Sequence, residues 1–510
     1  MLVRPAASLL LPLSALVGPP PQPHARAAVR CCAFADEASY LESLKGITLP
    51  AGFSVGTTGF TFSPAELEGS STAVMNLTLI ALDEPTADYA AVFTRNRFPG
   101  APVKVGKQRL ADGAPLQAVV VNNKISNVCA AGGGIGDAEE VCTKAADVLG
   151  LAAGGRAVLP LSTGVIGWRL PVQDMLQALP SAADALQRGA ALPAAESIMS
   201  AQPPRCPSAL SSLGHSLPVS ARLADESLTR VVARAPACLA NSRLAATDRF
   251  PKLRSVAACG GSLVGFAKGA GMIEPDMATM LAFVLTDVAV PREQLQAMLR
   301  RAAGTSFNAC SVDADQSTSD SLVCLSSGKV AAGEAELAAF EAALTGLCEA
   351  LAEDVVRNGE GTTHVIRVAV RGAPDVELAR GVGKAVVNSP LFKSAVAGND
   401  PNVGRLVSTV GSYLGRAAPE LPLEDCVMTM GGRVIFERGS FVIDAESEDF
   451  LHDHLKDAML TGADGASLPY PPHQRCVEIC VDLGAGDAEL TVHGSDLTHE
   501  YVSINADYRS

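Results

Sequence analysis

Residues 265–287 read GFAKGAGMIEPDMATMLAFVLTD, and a loop and a buried element meet inside them. The first half is loop-like: Gly265, Gly269 and Gly271 surround a lone cation, Lys268, and Pro275 breaks the chain. From Met280 onward runs an apolar stretch with the look of a buried element. The small-residue pair Ala278-Thr279 stands at the seam. On residue types alone it is an ordinary entry into the core, with Met272, Met277 and Met280 as adaptable fillers. A sharper chemistry is open to the same pair. A threonine hydroxyl can attack its own preceding carbonyl, turn that amide into an ester, and become a new N-terminal Thr on hydrolysis. Such a residue holds a hydroxyl nucleophile and an amine base together, and an α-amine pKa of about 7.7–8.0 suits that duty near neutral pH.

Outward from the seam, short apolar runs alternate with helical patterns, which predicts a mixed α/β architecture. MNLTLIALDE (75–84), LQAVVVNN (116–123) and AVLPLSTGVIG (157–167) read as strands on one side. HVIRVAVRG (364–372), RVIFERGSFVI (433–443) and RCVEICVDLG (475–484) do so on the other. Helical spacing marks residues 137–149, with Asp137 as cap or first-turn acid, and then Glu293–Ala302, Glu334–Arg357 and Asp449–Leu460. No internal repeat is visible.

The 510 residues suffice for two to four domains, or one large body with extensions. With 40 Lys+Arg against 54 Asp+Glu, a net charge of -14 argues against binding nucleic acid, because phosphate neutralisation needs clustered cations. Aromatics at 4% weaken a base-stacking reading as well. No apolar run approaches the ~20 residues of a membrane span. The thirteen cysteines are odd in number and thinly spread, so a reducing compartment fits better than a disulfide framework. His473, Cys476 and Cys480 in HQRCVEIC are the best metal candidates, yet Val477, Ile479 and Val481 alternate there as on a half-buried strand. His452 and His454 read as a solvated helix face. The glycine cluster 132–136 and the glycines around Lys268 match neither dinucleotide nor P-loop spacing.

Two stretches stand apart. Residues 1–35 carry Arg4, Arg26 and Arg30 with no Lys and no acid, the composition of an organellar transit peptide. Ala6–Gly18 could serve as a secretory h-region, but Pro12 interrupts it. Residues 201–246 hold five prolines, scattered Ser and Arg, and no periodicity. They read as a disordered surface insertion or as an artefact of how the coding sequence was assembled.

KGAGMIEPDMATMLAF (268–283) resembles the central signature of the ArgJ family, the ornithine acetyltransferases (glutamate N-acetyltransferases) of arginine biosynthesis. Further blocks match in order: AAVFTRNRFPGAPV (90–103), LSTGVIG (161–167), TDRFPK (247–252), SFNACSVDADQSTSD (306–320), NGEGTTH (358–364), AGNDPNVGR (397–405) and YVSINADYRS (501–510). The resemblance implies a DmpA/ArgJ-like αββα layered fold with a smaller C-terminal α/β lobe. It implies self-cleavage between Ala278 and Thr279, giving an α chain over 36–278 and a β chain over 279–510, associated as an α2β2 heterotetramer. Thr279 would be the nucleophile, carrying acetyl from N2-acetylornithine to glutamate, with Thr163 and Gly164 as the oxyanion hole. Thr247, Lys268, Thr279, Glu360, Asn505 and Ser510 would bind substrate. No metal or organic cofactor is implied, although some relatives also take acetyl-CoA as a substrate, and a plastid or mitochondrial location follows.

Departures from the family pattern are specific. The block around TDRFPK is split by the 201–246 insertion, and Arg249 replaces a frequent Thr, which weakens the assignment of Thr247. Ser510 stands where Thr is usual, Val403 where Trp is, Asp276 where Asn often is, and NNKISN (122–127) where NSGNAN is commoner. Asp313, Asp315 and Asp320 read as loop-ordering acids rather than metal ligands. Rival readings are an N-terminal-Thr amidohydrolase, with water replacing glutamate, and an unprocessed, non-catalytic protein.

Overall fold

The computed structural model describes residue 34 and residues 37–67, 72–199, 251–274, 280–460 and 474–506. The leader except Phe34, the 201–246 insertion, Thr247, the Ala278-Thr279 pair, His473 and Ser510 lie outside the described residues.

The helices are α1 (Glu37–Lys45), α2 (Ala101–Asp112), α3 (Gly134–Leu149), α4 (Val172–Asp184), α5 (Leu192–Ser197), α6 (Arg292–Thr305) and α7 (Glu334–Arg357). They continue with α8 (Val376–Val387), α9 (Pro390–Ala397), α10 (Val403–Ala417), α11 (Ala445–Ala458) and α12 (His499–Ala506). Two stacked sheets make the main body. The first runs in the order β1 (Phe53–Phe62), β2 (Ala73–Thr86), β4 (Leu116–Asn122), β5 (Val158–Ser162). The second runs β3 (Tyr89–Phe93), β10 (Ser321–Val330), β8 (Leu281–Val288), β7 (Gly261–Lys268), β6 (Lys252–Ala258).

Period-two alternation sorts the strand side chains into layers. Leu77, Leu79, Ala118 and Val120 face α3 and α4 through Val141, Cys142, Met175 and Leu179. Ile80, Leu82, Val119 and Val121, one residue out of step, face the second sheet and meet Phe283, Leu285, Val323 and Leu325. On that sheet's far side Ala282, Val284, Leu322 and Cys324 pack against α6 and α7. The result is a helix–sheet–sheet–helix sandwich. All eight residues of β8 are buried, which explains why MLAFVLTD shows no polar alternation. Phe266 and Phe283 stack at 5.1 Å between centroids in the inter-sheet layer, where burying a Phe contributes about 1.5–3 kcal/mol.

The C-terminal lobe is a seven-stranded sheet in the order β14 (Ser440–Phe441), β13 (Arg433–Glu437), β12 (Val427–Met430), β15 (Val477–Asp482), β11 (Val365–Ala373), β16 (Ala488–Ser495), β9 (Cys310–Ser311). Val368, Val370, Ile479 and Val481 pack on one of its faces with Val382, Leu406 and Leu451 from the helices. β9 lies between α6 and β10 in the chain, so the lobe's sheet borrows its edge strand from the main body.

Several expectations need correcting. RVIFERGSFVI is a hairpin rather than one strand, because Arg438 (φ 48°) and Gly439 (φ 74°) turn the chain in two residues of positive φ. His452 and His454 are half-buried and bonded: His452 Nδ1 lies 2.7 Å from the Asn399 carbonyl, and His454 Nε2 accepts the Glu478 N–H at 3.0 Å. Burial pushes the His454 imidazole pKa down. Cys480 sits mid-strand in β15 and Cys476 just precedes it, as the alternation of HQRCVEIC indicates. The helices α8–α10 are not among the expected elements, although α8 buries Ala379, Val382, Val386 and Val387 and α10 buries Leu406, Val410 and Leu414 at helical spacing.

Candidate active site

The site lies where the sandwich meets the C-terminal lobe. β5 ends at Ser162, and the chain turns through Thr163 and Gly164 against the segment that follows β4. Gly164 has φ +123°, and a Cβ there would sit 2.0 Å from the Lys124 carbonyl oxygen, so no other residue fits the turn. The Thr163 amide donates to the Asn122 carbonyl at 3.2 Å, and the Gly164 carbonyl accepts from the Ser126 hydroxyl. The donors this turn can offer a reacting oxygen are the Thr163 hydroxyl and the Gly164 amide.

Lys268 is the last residue of β7 and is 4% exposed. Its ammonium donates to Thr163 Oγ1 at 3.0 Å. With that oxygen accepting from a cation, the hydroxyl hydrogen is polarised and available for donation elsewhere. The family resemblance makes Lys268 a substrate-binding residue; in the structure its ammonium touches the residue that the resemblance assigns to the oxyanion.

The turn after Lys268 leads directly to the other candidates. Glu360, buried, donates its backbone N–H to the Ala270 carbonyl at 2.8 Å. Its carboxylate lies against Gly271, where a Cβ would come within 2.4 Å of Oε2. Asn505, on α12, donates from Nδ2 to Glu360 Oε2 at 2.9 Å. Thr163, Gly164, Lys268, Glu360 and Asn505 therefore form one continuous lining, drawn from both lobes. Gly271 matters as much as the side chains, since its missing Cβ is the space the carboxylate fills.

The described residues on either side of segment 275–279 are held by acids from a single loop. Asp313 accepts the Met272 and Ile273 amides at 2.6 and 2.7 Å, and the Tyr501 hydroxyl donates to it at 3.1 Å. Burial, then the neighbouring Asp313 charge, raises the Tyr501 pKa. Asp320 accepts the Met280 amide on Oδ1 at 2.8 Å. The expectation of loop-ordering acids describes both contacts. Among the described residues the Asp315 side chain takes no such part, and burial followed by Asp313 raises its pKa. Just beyond, Lys393 donates to the Val312 carbonyl, and burial pushes its ammonium down to about 8. Among the described residues no cluster of three or more His, Cys, Asp or Glu is arranged to hold a metal, and no helix is long and apolar enough to cross a membrane.

A model of the ArgJ family matches residues 65–204 and 212–510. The arginine biosynthesis bifunctional protein ArgJ of Nitratidesulfovibrio vulgaris is 35% identical over 461 residues, spanning 89% of this chain and 98% of its own. The protein named arginine biosynthesis bifunctional protein ArgJ, mitochondrial, from Uncinocarpus reesii is 32% identical over 491 residues, spanning 91% of this chain and 93% of its own. Among solved structures, the ornithine acetyltransferase of Mycobacterium tuberculosis complexed with ornithine aligns at 31% identity over 31% of this chain and 81% of its own, with a TM-score of 0.26.

Proposed function

The chain belongs to the ArgJ family, and from that premise we propose that it is the acetyltransferase of arginine biosynthesis that moves acetyl from N2-acetylornithine to glutamate by way of Thr279. Thr279 is freed for this by self-cleavage of the Ala278–Thr279 bond. The observation that carries the reading is the buried Lys268 ammonium on Thr163 Oγ1, joined through one short turn to the Glu360–Asn505 pair. Such a lining offers donors for an oxyanion at one end and an anion at the other, which suits an acyl donor bearing a cationic side chain.

The steps follow from those roles. Thr279 Oγ attacks the acetyl carbonyl while its proton passes to the residue's own α-amine. Charge builds on the carbonyl oxygen, where the Thr163 hydroxyl and the Gly164 amide donate, and Lys268 strengthens the first of these. The bond between the carbonyl carbon and N2 breaks, N2 leaves with the proton, and ornithine departs. The glutamate amine then attacks the acetyl ester and regenerates the hydroxyl. Glu360 faces the side-chain ammonium of ornithine, and Asn505 keeps that carboxylate oriented. Thr247 and Ser510 complete the substrate contacts. Neither half-reaction calls for a metal or organic cofactor, and acetyl-CoA is a candidate second donor. The α and β chains stay together as an α2β2 heterotetramer in a plastid or mitochondrion; relatives named as mitochondrial support an organellar site.

Intact mass and N-terminal sequencing of the protein expressed without residues 1–35 test this directly. Two chains are expected, the second starting Thr-Met-Leu-Ala-Phe, with glutamate-dependent release of ornithine from acetylornithine. Thr279→Ala is expected to lose both cutting and transfer. A single uncut chain from the unaltered sequence would overturn the reading, and release of free acetate without glutamate would turn it into a hydrolase.

A further inference from the structure

α12 lays two donors on two carboxylates. Tyr501 and Asn505 stand four residues apart, so they share one face of the helix, a turn from each other. The Tyr501 hydroxyl donates to Asp313 Oδ2 at 3.1 Å, and Asn505 Nδ2 donates to Glu360 Oε2 at 2.9 Å. The first turn of the helix is seated on Gly361, the residue after Glu360. A Cβ there would come within 2.4 Å of the Tyr501 nitrogen, and the Gly361 carbonyl accepts from the Thr498 hydroxyl at 2.7 Å. Tyr501 also packs against the apolar cluster that α6 and α7 share with the second sheet, so its hydroxyl is a contact separable from its packing. Burial, then the Asp313, Glu360 and Asp315 charges, raises the Tyr501 pKa, which keeps the hydroxyl a neutral donor.

What Asp313 holds gives this hydroxyl its role. Asp313 accepts the Ile273 amide on Oδ1 and the Met272 amide on Oδ2, so Tyr501 donates to the same oxygen that anchors Met272. The turn anchored in this way is the one against which the Glu360 carboxylate rests. Gly271 lies against Oε2, and the Ala270 carbonyl accepts the Glu360 amide. A shift of the turn therefore shifts the carboxylate. We propose that Tyr501 is a positioning residue of the substrate-binding end of the site, locking through Asp313 the turn that places Glu360 for the cationic side chain of the acyl donor. The inference rests on the acetyltransferase reading above, which supplies a donor bearing an ammonium. Charge-assisted hydrogen bonds are short, so a displaced carboxylate holds that ammonium less well. The oxyanion end is held separately, by Lys268 on Thr163, and should not feel the loss.

Tyr501→Phe removes the hydroxyl and keeps the ring. In transfer assays KM for acetylornithine is expected to rise roughly tenfold, the scale of one hydrogen bond to a charged group, with kcat within about twofold. An unchanged KM, or a fall in kcat of the same size, would overturn the proposal. Calorimetry with two ligands reads the same contact without turnover. Ornithine should bind Tyr501→Phe roughly tenfold more weakly than it binds the unaltered protein. Norvaline, the same carbon chain without the terminal amine, should bind both proteins alike. Equal weakening of the two ligands would mean a merely structural role and would overturn the proposal, as would unchanged ornithine binding. Absence of acetyl transfer by an unaltered protein that binds ornithine would sink the acetyltransferase reading and leave the calorimetry to decide this inference. An unaltered protein that binds no ornithine would overturn both.

Discussion

Lys268 and Thr163 meet across 105 residues of chain, and the proposed oxyanion role of the turn rests on the one hydrogen bond between them. If the ammonium acts through the Thr163 hydroxyl, Lys268→Met should lower kcat for transfer by roughly 10²–10³-fold, the usual loss when an oxyanion donor is weakened. KM should stay within a few fold in steady-state assays. A rise in KM with kcat intact would mean that Lys268 binds a substrate carboxylate instead. At this scale the sequence was informative about side chains that sit in compact motifs. LSTGVIG, KGAG, NGEG and INADY each announce a residue that the structure draws into one lining. It was silent about contacts made to main-chain amides. Asp313 reaches Ile273, and Asp320 reaches Met280, each across 40 residues, and no spacing rule records a carboxylate that captures a distant N–H. The acids could be read as loop-ordering, but not which segment they order.

The long helix α7 shows how an element couples the two lobes. Near its C-terminal end Glu353 accepts Arg357 one turn on, and also Arg367 of β11, whose other arm reaches Glu478 of β15. Burial alone would push the Glu353 carboxyl up, but Arg357, His493 and Arg367 hold it down at about 2. Its folded pKa is therefore below the unfolded value near 4.3, so its stabilisation is complete above about pH 5 and fades as pH falls toward 2. Glu353→Gln should cost about 3 kcal/mol in urea unfolding at pH 7 and progressively less below pH 4. A penalty independent of pH would show that packing, not charge, makes the contribution. Apolar patterning foretold β2, β4, β5, β11, β13 and β15 because each sheet has two differently covered faces. α8 is not among the elements read from the sequence, although Ala379, Val382, Val386 and Val387 recur there at helical spacing; glycines stand where that helix lies close to its neighbours. A Cβ at Gly383 would meet Val492 of β16 at 2.4 Å, and one at Gly381 would overlap the Tyr413 hydroxyl of α10. Close approach of this kind selects the residue that helix patterns treat as a breaker.

For the whole molecule, the mixed α/β class was legible in the rhythm of strands and helices and its layering in the family resemblance alone, while the interweaving of the lobes was not. No local pattern tells β9 to leave the sandwich for the other sheet, nor α12 to return and place Asn505 on Glu360. The strand order of the second sheet carries the largest consequence. A cut at Ala278–Thr279 assigns β3, β6 and β7 to one product and β8 and β10 to the other, yet the sheet runs β3-β10-β8-β7-β6. Strands of one product are thus flanked on both sides by strands of the other, with β7 and β8 paired from Leu263↔Thr286 to Lys268↔Leu281. Each product alone would bare the edges and faces its counterpart covers. An uncut chain finds this arrangement as a single molecule, whereas a protein cut as proposed, once denatured, would have to find it by collision. Recovery of the mature enzyme from urea should therefore fall as the solution is diluted, while recovery of uncut Thr279→Ala should not, by circular dichroism and gel filtration. Maturation on this scheme is a ratchet: it converts a first-order folding problem into a second-order one, and the cell has to solve it before the bond is broken.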